Sequence, residues 1–300
     1  MRILLAVDGS VSSDRAVELV TTLSLPPASH VRVVSVQQPY ADVLAMSWGS
    51  VGVSPDAMET EDHEESRIHR EAIERAETTL AKAGMSVEGF LVRGRAASAI
   101  VDEAKAAKAD LVVVGSRGHS TIASMVLGST AAEVVDHAPC PVLVARANTL
   151  GTVAFADDGS DTARAAEKVL TDWPIFSGLA VTVITVAETA VPVSASFTPG
   201  LYDQVLASYS GAVDEALEAV RQEADAEVKR LAGAGHRAEP VTLEGDPASE
   251  ICRYAAGNGI GTIVLGTHGR TGLARLVLGS IARNVLLHAH CSVLIVRAPR

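Results

Sequence analysis

The chain repeats itself. Ile3 to Ser10 and Val153 to Ser160 lie 150 residues apart and close on the same Asp-Gly-Ser. Residues 110–146 align without a gap to 261–297, an offset of 151, and share Gly115/Gly266, Gly118/Gly269, Gly128/Gly279 and Ser129/Ser280. A period this long is no solenoid unit, so each copy must be a complete globular fold. With 300 residues, 48% of them hydrophobic, there is material for two buried cores. The boundary falls in a short linker near Ala147 to Gly151, giving one domain over 1–147 and a second over 148–300.

Within each copy, short apolar runs alternate with helical periodicity, the pattern of an α/β fold with a parallel sheet. Strands are expected over 2–7, 31–36, 87–92, 111–114 and 141–145, and again over 152–156, 180–186, 239–243, 262–265 and 292–296. Helices are expected over 12–22, 60–83, 96–107 and 130–137, with 203–232 and 281–288 in the second copy. The 60–83 helix sets Ile68, Ala72, Ala76, Leu80 and Ala83 on one face, and the 203–232 helix aligns Val213, Leu217, Val220, Ala224 and Leu231. Right-handed crossovers then make two tandem doubly wound, five-stranded parallel sheets of strand order 3-2-1-4-5. In such a sheet the ligand crevice opens between the carboxyl ends of strands 1 and 4. Asp8 and Asp158 end strand 1, and Gly115 and Gly266 end strand 4.

The motif at the crevice reads Gly115-Ser116-Arg117-Gly118, nine residues, Gly128-Ser129, and Gly266-Thr267-His268-Gly269, nine residues, Gly279-Ser280. Glycine there permits positive backbone torsions and close approach of main-chain amides to a bound group. Gly128-Ser129 and Gly279-Ser280 open helices whose free amino-terminal amides attract anions. Together these make a phosphate cradle; the plainer reading is a βα loop that uses glycine merely to turn.

Charge and composition exclude other classes. The formal net charge is −11, and both halves carry more acids than bases, so no basic surface awaits nucleic acid. No apolar stretch approaches the roughly 18 residues of a membrane span, and the run Ile3 to Val7 stops at Asp8, short of a signal peptide; the cytoplasm is the expected location. Three cysteines, Cys140, Cys252 and Cys291, lack C-x-x-C spacing and read as buried apolar residues. His137 and His288 stand H-x-x-C before two of them, without the four ligands zinc needs, and suit helix carboxyl ends. Asp157-Asp158 reads as a turn rather than a magnesium site. The long connections Gln37 to Met58 and Ala187 to Tyr202 are either mobile segments or lids. Neither G-x-x-x-x-G-K-[ST] nor G-x-G-x-x-G follows a first strand, and the S-G-G-x-D-S of ATP pyrophosphatases is also missing.

The glycine pattern G-x-x-G-x9-G-[ST] after strand 4, present twice, resembles the ATP-binding signature of the universal stress proteins, in their tandem-domain form and over nearly the whole chain. The resemblance implies an adenine nucleotide alpha hydrolase-like fold and ATP, with or without Mg2+, as ligand. It implies that Asp8-Gly9 and the backbone of Val36 hold the adenosine part, matched by Asp158-Gly159 and Val186. Ribose and phosphates would meet Gly115, Ser116, Arg117, Gly118, His119, Gly128, Ser129 and Thr130. Gly266, Thr267, His268, Gly269, Arg270, Gly279, Ser280 and Ile281 would do the same in the second half. Arg270, Arg275 and Arg283 predict tighter ATP binding there, the alternative for Arg275 and Arg283 being solvated helix-face charges, while Ile281 replaces Thr130 and Gly261 replaces Asp110. In relatives the apolar last strands pair across domains, which implies a pseudo-dimer within the chain and allows a homodimer. The function implied is nucleotide-dependent regulation of a stress response. Alternatives are a slow ATPase or autophosphorylating enzyme, with Ser120, Thr121 or Thr271 as acceptors, and a scaffold with vestigial sites.

Overall fold

The computed structural model describes residues 1–38, 55–118, 127–187, 201–269 and 278–298. In the first half β1 (Arg2–Ala6) leads to α1 (Val11–Thr21), β2 (His30–Gln37), α2 (Pro55–Lys82) and β3 (Ser86–Arg93). The chain then returns through α3 (Ala96–Ala106), β4 (Leu111–Gly115), α4 (Ser129–His137) and β5 (Val142–Ala145). The second half repeats the series: β6 (Thr152–Ala156), α5 (Asp161–Asp172), β7 (Ala180–Ala187), α6 (Leu201–Gly233), β8 (Arg237–Glu244), α7 (Pro247–Gly257), β9 (Ile260–Gly266), α8 (Ser280–His288) and β10 (Ser292–Val296). A short 3-10 turn at Pro174–Phe176 has no counterpart in the first copy.

The strand order within each half is the expected one, but the two sheets are one. Ten strands run β3-β2-β1-β4-β5-β10-β9-β6-β7-β8. Every neighbouring pair is parallel except β5 and β10, which run antiparallel with Val142 opposite Ile295 and Val144 opposite Val293. Both strands are apolar and fully buried, so at separate sheet edges they would leave apolar surface and unpaired peptide groups in water. Pairing them removes both costs.

The inner strands, such as Leu111–Gly115, are buried on both faces and therefore carry continuous Val and Leu rather than an alternation. One core lies between the sheet and α1, α2, α5 and α6, around Leu5, Leu80, Phe155, Leu170 and Leu231. The other lies under α3, α4, α7 and α8, around Leu4, Ile100, Val134, Ile263 and Val285. Two residues assigned to the buried face of α2 are not there. Ile68 is 40% exposed, and Ala83 is exposed just past the last helical residue, Lys82; the packed stripe is Ala72, Ile73, Ala76 and Leu80. Val213 lies where side chains fall outside the description.

Arginines lock the seam reciprocally. Arg146, just after β5, donates to the carbonyl of Leu286 at 2.5 Å and of Cys291 at 3.3 Å, at the carboxyl end of α8. Arg297, just after β10, donates to Val135 and Asp136 at the carboxyl end of α4. Each half thus caps the other's last helix with a positive charge, where helix carbonyls lack partners.

Candidate functional site

At the carboxyl end of β1, Asp8 and Gly9 turn the chain into α1. Gly9 adopts φ 81°, which a side chain would oppose. Asp8 Oδ1 accepts from the Ser10 amide at 2.9 Å, and Ser10 caps α1 by accepting from Ser13 N at 3.2 Å. Asp158, Gly159 (φ 71°) and Ser160 repeat the turn, with Asp158 Oδ1 accepting from Ser160 N at 3.1 Å.

The motif glycines act differently from the expectation. None of Gly115, Gly118, Gly128, Gly266, Gly269 or Gly279 has a positive φ; all but Gly128, where a Cβ would meet nothing nearer than 3.4 Å, are points of close approach. A Cβ on Gly115 would stand 2.7 Å from the Ser12 carbonyl carbon and 2.9 Å from Ser13 N, the backbone of the first turn of α1. Gly266 meets the Thr162 backbone carbon at 2.7 Å in the same way. The second glycine of each motif lies against the strand-1 carboxylate: a Cβ on Gly118 would be 2.8 Å from Asp8 Oδ2, and one on Gly269 2.8 Å from Asp158 Oδ2. The third glycine closes the loop, Gly128 N donating to Ser116 O at 2.7 Å and Gly279 N to Thr267 O at 2.8 Å.

Hydroxyls tie this loop to the first helix of each half. Ser10 Oγ donates to Arg117 O at 3.3 Å, and Ser12 Oγ accepts from Arg117 N at 3.2 Å and meets Ser116 Oγ at 3.1 Å. In the second half Ser160 Oγ donates to His268 O at 3.1 Å, and Thr162 Oγ1 both donates to His268 O and accepts from His268 N. The backbone at Arg117 and at His268 is therefore held to the first helix of its half.

In the first half these parts surround an open crevice at the carboxyl ends of the strands, a concave site part apolar and part polar. Asp8, Val36, Gly115, Arg117, Gly118, Gly128, Ser129 and Thr130 line it. Ala6, Val7, Val34, Ala96, Ile100 and Val114 supply an apolar floor. Gly9 and buried Ser116 stand behind the lining as supports. The amino terminus of α4 opens here. Gly128, its cap residue, has no side chain to satisfy it, and the first intrahelical bond, Ala132 N to Gly128 O, leaves the earlier amides without intrahelical acceptors. Val36 contributes through its peptide. Val34 O accepts from Val7 N at 2.9 Å, and ladder alternation turns the Val36 N–H and C=O to the same side, one step beyond the end of β1. The arrangement can hold an anion at α4 with Arg117 nearby, a flat polar edge at Val36, and a hydrogen-bond donor at Asp8.

Val186, Gly266, Thr267, His268, Gly269, Gly279, Ser280 and Ile281 occupy matching positions, and α8 likewise starts at an uncapped glycine. His268 Nε2 is buried without a hydrogen-bond partner, an orphan that a bound polar group would satisfy. Arg283 does not turn to the crevice: it donates to both carboxylate oxygens of Asp136 across the seam, at 3.0 and 3.1 Å. Its place among the arginines expected to tighten the second site is thereby corrected. Gly261 is also no loss to the site. It stands at the other end of its strand, where a Cβ would fall 2.4 Å from Leu150 O, while its counterpart Asp110 binds Arg2. His119, Ser120, Thr121, Arg270, Thr271 and Arg275 lie outside the described residues.

Among the described residues no group of three or more His, Cys, Asp or Glu stands ready for a metal ion, and no helix is long and apolar enough to cross a membrane. The cysteines form no disulfide; Cys140 is buried and the other two are half-buried.

A family model described as the universal stress protein family matches the chain twice, over residues 1–146 and 150–297. A universal stress protein of Methanocaldococcus jannaschii is 43% identical over 89 residues, 29% of this chain and 52% of that protein. One of Thermus aquaticus is 33% identical over 144 residues, 48% of this chain and 97% of the relative. A universal stress protein of Mycobacterium tuberculosis is 27% identical over 311 aligned positions, covering 98% and 96% of the two chains, and so shares the tandem layout. Among solved structures, a universal stress protein from Archaeoglobus fulgidus superposes with a TM-score of 0.65 at 18% identity, covering 99% of this chain and 96% of that one, a likeness of fold.

Proposed function

Since the chain belongs to the universal stress protein family, we propose that it is an ATP-binding member whose crevices receive adenine nucleotide and whose occupied state is read by a partner as a regulatory signal. The observation that carries this reading is the uncapped amino terminus of α4, opening beside the Gly115–Gly118 loop in a crevice also lined by Asp8 and Val36. A triphosphate is the anion such a terminus favours, and Arg117 adds a charge that forks onto phosphate oxygens. Asp8 accepts hydrogen bonds from the hydroxyls of a ribose, the Val36 peptide pairs with the edge of a base, and the apolar floor takes the flat of the ring. The second half offers the same frame with His268 in place of Arg117. Any Mg2+ would ride on the phosphates rather than on a carboxylate cluster of the protein. Regulation follows if nucleotide favours one of two arrangements of the halves, which requires unequal affinity for the two.

The test is direct. Purified protein is denatured and the released nucleotide identified and counted by chromatography, followed by titration of the stripped protein with ATP. Two ATP per chain support both crevices and one supports a single working site. No released nucleotide together with no heat of binding refutes the reading.

A further inference from the structure

We propose that the second half holds, at positions that are apolar in the first, a proton-binding cluster, Asp157, Glu167 and Glu227 around the half-exposed Arg230, whose deprotonation as pH rises loosens α6.

The duplicated fold supplies its own control. Asp157 and Glu167 match Val7 and Val17 in the 150-residue register of the first strands and helices. In α2 and α6 the register is set by Met85 N bonding Leu80 O and His236 N bonding Leu231 O. Four residues back stand Ala76 and Glu227, and one residue back Thr79 and Arg230. Val7, Val17 and Ala76 are buried apolar side chains of one core. Their replacements stay inside: Glu227 is 1% and Asp157 8% exposed, and the Glu167 side chain 18%.

Two carboxylates share one guanidinium, and a third, Asp157, lies within reach of its charge. Arg230 Nε donates to Glu167 Oε1 at 3.0 Å, and its terminal nitrogen donates to Glu227 Oε2. Glu227 Oε1 is buried with no partner at all. Asp157 Oδ1 is committed to the Gly159 amide at 2.9 Å. Of the elements packed here, α6 adds Glu223 beside Arg230, α5 adds Glu167, and the end of β6 adds Asp157 and then Asp158. β7 carries no charged residue and presents Thr185, whose hydroxyl is also buried and unpartnered. β8 brings Ala238, Pro240 and Thr242 to the same face, with exposed Glu244 at its far end.

A carboxylate oxygen buried without a donor disfavours the charged form. Burial, reinforced by Glu167 and Asp157 and opposed by Arg230, pushes Glu227 up to about 7, and burial pushes Asp157 up as well. An acid whose native pKa exceeds its unfolded one binds more protons when folded. Its contribution is therefore intact below the unfolded value, about 4.5, and is lost as pH climbs through the native value, about 7. That gap is worth on the order of a hundredfold in the opening equilibrium of the second half. The cluster adjoins the crevice: Asp157 holds Gly159, Asp158 holds Ser160, and Asp158 lies against Gly269.

Hydrogen exchange of the full-length chain, corrected for intrinsic rates, tests this without nucleotide, so its outcome is separate from that of the ATP reading. Between pH 5.5 and 8, protection of residues 220–233 should fall at least tenfold, while 76–82 stay level. Glu227→Gln should flatten the response of the second half. Should that variant misfold, Glu227→Ala with Arg230→Thr installs the first-half pair and should flatten it equally. Equal pH responses in both halves of the natural protein, or an undiminished response in whichever of the two variants folds, would overturn the proposal.

Discussion

Alanine at Gly115 and at Gly118 should separate what the motif does for the fold from what it does for the crevice. At Gly115 the new Cβ stands 2.7–2.9 Å from backbone atoms of Ser12 and Ser13, so the first turn of α1 must retreat by roughly 0.7 Å to ordinary contact distance. It has nowhere to go, because Ala16, Leu19 and Val20 on the same helix are fully buried. Overpacking of this kind costs about 1–3 kcal/mol. The smaller entropy of an unfolded alanine returns about 0.4–1 kcal/mol, leaving a loss centred on about 1.3 kcal/mol, or about 3–5 °C in Tm for a domain of this size. At Gly118 the contact found among the described residues is the far end of the Asp8 side chain, at 2.8 Å. The carboxylate can swing aside, so Gly118→Ala should melt within about 1 °C of the natural protein, on the same scale. Its displaced Asp8 and narrowed crevice should nonetheless lower affinity for ATP, measured by calorimetric titration. The reasoning fails if Gly115→Ala melts like the natural protein, or if Gly118→Ala melts as low as Gly115→Ala.

Two further outcomes follow from the seam and from the cysteines. Arg297→Met leaves the Val135 and Asp136 carbonyls without their donor and should cost about 1–3 kcal/mol, seen as a lower urea midpoint at unchanged slope; a midpoint equal to that of the natural protein would deny the clasp any role in stability. Burial pushes the Cys140 thiol up to about 12 and Cys252 up to about 11, and raises Cys291 too. At pH 8 the folded protein should therefore react slowly with a thiol reagent and release three equivalents only on denaturation; rapid labelling of native Cys140 would contradict its burial.

The strands were legible because a sheet covered on both faces writes itself as unbroken Val, Leu and Ile, and the repeat placed each one twice. The crevice was legible because topology and the glycine spacing point to the same strand ends. What glycine does there was not. Spacing cannot tell a torsional need from a steric one, and only the Ser12 and Asp8 contacts show that the motif glycines serve close approach. Helix ends were blurred where composition is uniform, as at Lys82 and Ala83. The acid cluster escaped for a different reason. Glu227 falls on the same stripe as Ala224 and Leu231, but an acid on a helix is ordinarily solvated, and its partner Arg230 becomes visible only when α5 and β6 are brought alongside. Arg283 misled in the opposite sense, since its partner Asp136 belongs to the other copy and no local pattern announces a contact across 147 residues.

The antiparallel join between β5 and β10 has a consequence for how the two copies can diverge. Were it a contact between identical subunits, any substitution would appear on both sides of the two-fold axis, and a half that had become polar inside would always face another like it. Covalent linkage keeps the two surfaces at high effective concentration whatever the dilution and frees each copy to change alone. One lobe has accordingly kept Val7, Val17 and Ala76 at three inward positions where its sibling took on acids, a divergence that a symmetric dimer could not have acquired.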